Sequence, residues 1–248
     1  HGQSHGRPHR QSLGHARRHL GRPFTALCHA VAMIRVDCHV HTFASGDAIT
    51  TIAELTQRVE EVGLDVVCIT DHHEISVAEL VAAERAIKAR IIVGEEIRTP
   101  SGEIIGLFLN ERIPYVLPLD EVVGRIRSQG GLTYAPHPID PLRNGMREQT
   151  IRRLQSAGML DIVEVFNAKT ANDEYNQASL ALAQELGLPG GVGSDAHDPV
   201  DIGSAWLEMP DFDGPAAFLE SIHSATVHGE YAPYPLRYPG AFAAESAR

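Results

Sequence analysis

Five short motifs, each at the end of an apolar run, combine histidine with acidic residues. The first is Asp37-Cys38-His39-Val40-His41. Alternate residues of a β-strand share one face, so Asp37, His39 and His41 are expected to point together while Cys38 and Val40 face the opposite layer. Two imidazoles and a carboxylate that converge from one strand end form a metal-binding arrangement. A single His-x-His pair is weak evidence, and its weight depends on the motifs that follow.

The four later motifs repeat this placement. They are Asp71-His72-His73-Glu74, Gly94-Glu95-Glu96, Pro136-His137-Pro138 and Ser194-Asp195-Ala196-His197-Asp198. Any one of these polar residues alone is more typical of a helix cap or a solvated loop. Five motifs in succession at strand ends are hard to explain as caps, and six of the eight histidines after Met33 fall in them. The other two, His223 and His228, are interpreted as surface residues of a C-terminal helix and its exit.

The segments that must position these motifs alternate between strand-like and helical patterns. Strand-like runs are Ile34–His39, Asp65–Thr70, Arg90–Ile97, Glu103–Leu109, Leu132–Pro136, Asp161–Phe166 and Gly190–Ser194. Amphipathic segments between and after them are Thr51–Val62, Ser76–Ala89, Leu119–Ser128, Arg147–Ala157, Ala171–Leu186 and Gly214–His223. This spacing indicates βαβ units with mostly parallel strands, except for a hairpin predicted at Pro100-Ser101-Gly102. Such units suit a small barrel or an open sheet with its chemistry at the C-terminal strand ends.

Composition divides the chain at Met33. Residues 1–32 hold six of the 14 histidines and five arginines but no acid, and we expect a disordered leader that is not part of the fold, with a targeting segment as the alternative. Residues 33–248 carry 16 basic and 32 acidic residues. A body this acidic would repel a phosphate backbone unless bound cations reversed the local field. The charge therefore disfavours bulk nucleic-acid binding and favours cation binding.

Compartment follows from two further observations. No apolar run approaches the roughly 20 residues that a membrane span needs, so no membrane partner is expected. The three cysteines, Cys28, Cys38 and Cys68, contain no Cys-x-x-Cys pair and do not indicate a disulfide framework. We expect a cytoplasmic protein.

In this order, the five motifs resemble those of the PHP (polymerase and histidinol phosphatase) superfamily, from about Met33 to about Leu219. The resemblance implies an α/β fold, a distorted seven-stranded (β/α)7 barrel with a metal site at the C-terminal ends of the strands. The barrel domain would span residues 33–230, followed by a Pro- and Tyr-rich C-terminal tail at 231–248. The resemblance also implies two or three divalent metal ions and hydrolysis of phosphoesters.

The resemblance implies eight metal ligands, which are His39, His41, Asp47, His72, Glu96, His137, Asp195 and His197. Many members have another histidine on the strand after the glutamate, where this chain has Ile105 and no histidine nearby. The site shared by Glu96 and His137 therefore has one ligand fewer. The better-supplied sites are expected to be His39/His41/Glu96/Asp195 and Asp47/His72/His197. Mixed imidazole and carboxylate ligands suit Mn, Zn or Fe better than Ca or Mg.

The resemblance, together with these ligands, implies a hydrolase, and we expect it to cleave a phosphomonoester of a small metabolite or nucleotide by a metal-activated water. His197 or Asp71 is expected to assist proton transfer to the leaving oxygen. Candidate substrate-binding residues are Lys169 and Arg143, on loops just beyond motif strands. Glu164 and Asn167, at the end of the run Asp161–Phe166, are expected either to contact substrate or to support the metal ligands. One alternative is an exonuclease acting on short nucleic acids, which would need a basic channel. The other is a catalytically silent, metal-stabilised domain. Substrate, metal identity and oligomeric state stay open.

Overall fold

A computed structural model describes residues 1–2, 32–85 and 87–232. In this part of the chain nine strands follow one another: β1 (Met33–Val40), β2 (Val66–Ile69), β3 (Arg90–Thr99), β4 (Gly102–Leu107), β5 (Leu132–Ala135), β6 (Ile162–Asn167), β7 (Gly190–Gly193), β8 (Ala205–Pro210) and β9 (Thr226–Gly229). The α-helices described between them are α1 (Ile52–Val62), α2 (Ser76–Glu84), α3 (Leu119–Ser128), α4 (Glu148–Ser156), α5 (Asp173–Leu186) and α6 (Gly214–Ile222).

The first seven strands form a nearly closed barrel. The sheet order is β7-β6-β5-β4-β3-β2-β1-β8-β9. Strands β1 to β3 are mutually parallel, as are β5 to β7, whereas β4 runs antiparallel to both of its neighbours. The two ends of the barrel meet where Asp195 N donates to His39 O at 2.7 Å and His41 N donates to Ala196 O at 3.0 Å. The predicted barrel and the predicted hairpin at Pro100-Ser101-Gly102 are confirmed.

Strands β8 and β9 extend the sheet beyond β1 and were not predicted. Strand β8 pairs antiparallel with β1, and β9 pairs antiparallel with β8. His228 lies on β9, and its ring stacks on Trp206 with 3.9 Å between centroids. The interpretation of His228 as the exit of a helix is therefore wrong, whereas His223 does end helix α6 at an exposed position.

Helix α1 illustrates how local sequence fixes the elements around the barrel. It begins at Thr51, whose hydroxyl accepts from Glu54 N while the Glu54 carboxylate accepts from Thr51 N at 2.9 Å, so each satisfies a donor left over at the helix start. It ends at Gly63, whose φ of 70° favours glycine. Leu55 and Val59, one turn apart, are buried in an apolar cluster with strand β2.

Two predicted segments fall largely outside the described residues. Of the leader predicted at 1–32, residues 3–31 are outside the described part of the chain. Of the tail predicted at 231–248, residues 233–248 are outside it. At the start of that tail, Ala232 N donates to Ala168 O at 2.9 Å, and the Tyr231 hydroxyl accepts from Asn176 Nδ2 at 3.2 Å. Across the described residues, no helix combines the length and the apolar character needed to traverse a bilayer.

Candidate metal centre

Four side chains from three strand ends form the first group of the site. Strand β1 supplies His39 and His41, both fully buried, with 3.0 Å between their Nε2 atoms. Glu96 Oε2, from β3, lies 3.3 Å from His39 Nε2 and 3.2 Å from His41 Nε2. Asp195 Oδ1, just beyond β7, lies 3.6 and 3.3 Å from the same two nitrogens. This is the first ligand group implied by the sequence resemblance.

The second group surrounds Asp47, on the loop that follows β1. His72 Nε2 lies 3.4 Å from Asp47 Oδ2, and His197 Nε2 lies 3.7 Å from Asp47 Oδ1. The ring of His41 is close to both imidazoles, with centroids 4.7 Å from His72 and 4.3 Å from His197. Ligand atoms of His41, His72 and His197 could hold one ion between them.

The third group adds His137, which follows β5. Its Nε2 lies 3.0 Å from Glu96 Oε1, and one ligand atom each from His39, Glu96 and His137 lies within 4.8 Å of the other two. The φ angles of His137 and Asp195 are 26° and 51°, in the region that non-glycine residues rarely adopt. Strained backbone of this kind occurs at functional sites. All eight residues predicted as ligands therefore lie in one cluster.

The electrostatics of the cluster fit divalent cations. Burial alone would lower the imidazole pKa values, yet the surrounding carboxylates raise the pKa of His39 well above its usual range and that of His41 to about 9. Asp47 Oδ1 is buried without a hydrogen bond. A buried excess of carboxylate charge is stabilised by paired cations. The mixed nitrogen and oxygen donors are of the kind that hold divalent metal ions.

Glu164 is a buried carboxylate that hydrogen-bonds to the metal-ligand cluster without being one of the predicted ligands. The Tyr134 hydroxyl donates to Glu164 Oε1 at 2.8 Å, and His39 Nδ1 lies 3.1 Å from the same oxygen. The backbone N–H of His137 and Nδ2 of Asn167 donate to Oε2 at 2.5 and 2.9 Å. This carboxylate thus orients His39 with Nε2 toward the cluster. Of the two roles expected for Glu164, these contacts match the support of a metal ligand, because protein donors occupy both oxygens.

Asp71 also supports ligands from a buried position. Its carboxylate accepts from Thr42 N and Thr42 Oγ1 at 2.6 Å each, and from Ser45 Oγ at 2.8 Å. Ser45 Oγ in turn lies 2.8 Å from His41 Nδ1, so Asp71 fixes the orientation of His41 through Ser45. The predicted role of Asp71 in proton transfer is not supported, because its oxygens are occupied and the residue is fully buried.

The contacts of His197 suit its predicted role as a metal ligand better than its predicted role in proton transfer. Its Nδ1 lies 2.8 Å from the carbonyl oxygen of Asp195, which leaves Nε2 facing Asp47. Burial and the neighbouring His41 lower the pKa of His197 to about 3. A neutral imidazole suits metal coordination, whereas a general acid at neutral pH needs a proton to give.

The other predicted substrate contacts fall in two classes. The Arg143 guanidinium contacts the Asp195 carboxylate and lines two cavities beside the cluster. Asn167 and Lys169 are buried: Asn167 Nδ2 also donates to Asp195 at 3.1 Å, and Lys169 Nζ lies 3.0 Å from Asp201 Oδ2. Of the four candidates, Arg143 alone is among the residues that line those cavities.

Two cavities that share lining residues lie beside the cluster. The smaller, of about 50 Å³, is lined by His72 and His197 and by Arg98, Glu103, Arg143 and Asn144. The larger, of about 800 Å³, shares Arg98, Arg143 and Asn144 with it and extends along residues 99–102 and 139–150. A volume of this size is typical of a small-molecule site.

Sequence reasoning missed Glu103, which the structure brings to the cluster. The side chain is buried, Oε1 accepts from Arg98 Nε at 2.8 Å, and Oε2 lies 3.8 Å from His137 Nε2. The available signal was an acidic residue on the strand where the family histidine is missing. Strand alternation places Glu103 on the same face as Ile105.

Comparison with known proteins agrees with this geometry. The family model for the PHP domain matches residues 37–186, and that for the PHP-associated region matches residues 173–227. An uncharacterized protein of Methanocaldococcus jannaschii is 32% identical over 202 residues, which cover 78% of this chain and 81% of that protein.

Solved structures show the same fold at low sequence identity. A two-domain protein of Bacteroides vulgatus, described as containing a PHP-like metal-dependent phosphoesterase, superposes with a TM-score of 0.61 at 17% identity, over 81% of this chain and 66% of that one. A lesion-specific endonuclease of Pyrococcus furiosus gives a TM-score of 0.58 at 14% identity, over 79% of this chain and 58% of that one. Both chains are longer than the region they share with this one.

Proposed function

Because this chain belongs to the PHP domain family, we propose that it is a metal-dependent phosphoesterase that hydrolyses a phosphomonoester of a small metabolite or nucleotide. One observation carries the proposal: eight imidazole and carboxylate side chains converge at the strand ends, beside a polar cavity large enough for such a molecule. Metal sites of this composition perform hydrolysis when a cavity gives a substrate access to them.

Different residues are assigned to metal binding and to substrate binding. His39, His41, Glu96 and Asp195 would hold one ion, and Asp47, His72 and His197 a second. When bound, such ions supply a nucleophile at neutral pH and stabilise the charge that develops on the phosphate oxygens. Glu164 and Asp71 keep the imidazoles oriented through hydrogen bonds.

Substrate binding is assigned to arginines beside the cluster. Arg143 lies against Asp195 and lines both cavities, so it can reach a phosphate whose oxygens meet the ions. Arg98 lies at the junction of the two cavities, and Arg147 lines the larger one. Arginine binds phosphate through paired hydrogen bonds. The larger cavity would then receive the leaving group, because it continues away from the cluster.

A phosphodiesterase acting on short nucleic acids is the second candidate, and the Pyrococcus endonuclease with the same fold is the observation that favours it. Such an enzyme must bind several phosphates along a strand. The strong excess of acidic residues after Met33 opposes that binding, whereas a single phosphate needs only the arginines at the cavity.

The test compares an aryl phosphomonoester with the matching diester, using chelator-treated protein reconstituted with Mn²⁺ or Zn²⁺. We expect hydrolysis of the monoester, followed by selective turnover within a panel of phosphorylated metabolites and nucleotides. His41→Ala should abolish turnover, whereas His223→Ala, which changes an exposed histidine at the end of α6, should leave it unchanged. Turnover of the diester and of oligonucleotides alone would favour the nuclease. Metal binding without any turnover would favour a silent domain.

A further inference from the structure

Strand β4 carries an acidic residue toward the metal cluster at a place where the ligand set is short. Glu103 is buried, with only 3% of its surface exposed. In the antiparallel pairing of β3 with β4, Glu96 lies opposite Ile105 and Arg98 lies opposite Glu103. Residues directly opposite each other project to the same face, and so do alternate residues along a strand. Glu103 therefore shares the face of the sheet from which Glu96 enters the cluster.

The contacts of Glu103 leave one oxygen directed at the third ligand group. Oε1 accepts from Arg98 Nε at 2.8 Å, whereas Oε2 lies 3.8 Å from His137 Nε2. The backbone N–H of Glu103 donates to Asn144 O at 2.7 Å, which fixes the start of β4 against the loop after β5. The carboxylate also lines the cavity of about 50 Å³ beside the cluster, together with His72 and His197.

We infer that Glu103 is the third protein ligand of a metal position formed with His137 and with Glu96, whose Oε1 faces His137 while Oε2 faces His39 and His41. Glu103 would thus take the place of the histidine that the resemblance implies on β4. One imidazole and two carboxylates then hold the ion, which matches the three protein ligands of a zinc site that keeps one position open. Arg98 holds Oε1 and so leaves Oε2 for the metal. The inference rests on the proposed function only in requiring that the cluster binds metal.

Zinc stoichiometry tests this assignment without relying on activity. Chelator-treated protein is titrated with Zn²⁺ and the bound metal is counted by native mass spectrometry. We expect three zinc ions per wild-type chain and two for Glu103→Gln. The affinity of the third position should fall by at least the roughly 10–100-fold that follows the loss of a residue supporting a ligand. Glu95→Gln is the matched control, because Glu95 accepts from Ile113 N and is not part of the cluster; it should keep three.

The outcomes distinguish the assignment of Glu103 as a ligand from the proposed metal-dependent function. Equal zinc counts in wild type and Glu103→Gln, whether two or three, would overturn the assignment of Glu103 and leave the proposed function standing. No bound zinc in the wild type would overturn the proposed function itself. If Glu103→Gln fails to fold, Glu103→Asp keeps the charge beside Arg98 but shortens the side chain. Its third position should bind Zn²⁺ at least about tenfold more weakly, and an unchanged affinity would again overturn the assignment.

Discussion

Replacing Glu164 by glutamine should misorient His39 without removing any predicted metal ligand. Glutamine offers one acceptor and one donor group where Glu164 accepts on both oxygens. Placed at Oε2, the new NH2 would face two donors, His137 N and Asn167 Nδ2. Placed at Oε1, it faces Tyr134 Oη and His39 Nδ1. The second arrangement is the favourable one, and it requires His39 to carry its proton on Nε2, where the metal should bind.

The expected loss follows from this tautomer change. Removing a group that orients a metal-bound histidine lowers metal affinity by roughly 10–100-fold, which corresponds to about 1.4–2.7 kcal/mol. We expect a loss in that range for Glu164→Gln at the position that uses His39. Isothermal titration of chelator-treated protein with Zn²⁺ measures it directly. The variant should also turn over substrate more slowly at saturating metal.

Tyr134→Phe is the matched control for that prediction. It removes one hydrogen bond to the same carboxylate oxygen and leaves the acceptor for His39 in place. Its zinc affinity should stay within about threefold of wild type, because this hydrogen bond does not set the tautomer of His39 and the carboxylate keeps its other donors. Wild-type affinity in a folded Glu164→Gln variant would refute the reasoning, as would an equal loss in both variants.

Three further predictions concern stability. Burial raises the pKa of Glu95 from 4.5 to about 7, so between these pH values the folded protein binds a proton that the unfolded chain does not, and the free energy of unfolding falls as pH rises through this range. Glu95→Gln removes this dependence. Its free energy of unfolding, measured with urea on metal-free protein, should exceed that of wild type by up to about 3 kcal/mol at pH 8 and equal it at pH 4. Lys169→Met leaves the buried Asp201 carboxylate without its cation and should cost about 3–5 kcal/mol in the same assay, with recovery when Asp201→Asn is added. Chelation should lower the melting temperature reversibly, since each site at a free metal concentration of 100 times Kd contributes about 2.7 kcal/mol; a melting curve that chelator does not move would contradict the metal centre.

Most barrel elements were predictable because their own residues carry the pattern. Helix α3 has its predicted bounds, Leu119–Ser128, and the buried strand β2 lies inside its predicted run. Helix α2 ends at Glu84, five residues before the predicted end at Ala89. The helix must stop early because β3 already begins at Arg90, and the chain needs residues between the two elements to change direction. Strand β9 has only four residues, mostly exposed, so its pairing depends on β8 and not on a pattern of its own.

The ligand set was predictable through the family resemblance, but the roles of the acidic residues outside that set, Asp71 and Glu164, were not settled by the sequence. Glu96, Glu164, Asp71 and Asp195 are all acidic residues at or just beyond the ends of buried strands. Only the orientation of each side chain decides whether a carboxylate enters the cluster or accepts hydrogen bonds beneath it. That orientation depends on partners far away in sequence, such as Tyr134 for Glu164. A one-dimensional pattern cannot specify them.

This division of roles changes what the acidic composition means for a substrate. Asp37, Asp71 and Glu164 are buried beneath the ligands and accept from backbone or side-chain donors, and burial raises the pKa of Asp37 to about 6. Burying carboxylates is costly, and the fold accepts that cost where imidazoles must be held in one orientation. Because these carboxylates are buried, a phosphate bound at the cavity would meet Arg143 and the metal cluster and not the average charge of the chain. The same composition that opposes a long nucleic acid is thus compatible with one bound phosphate.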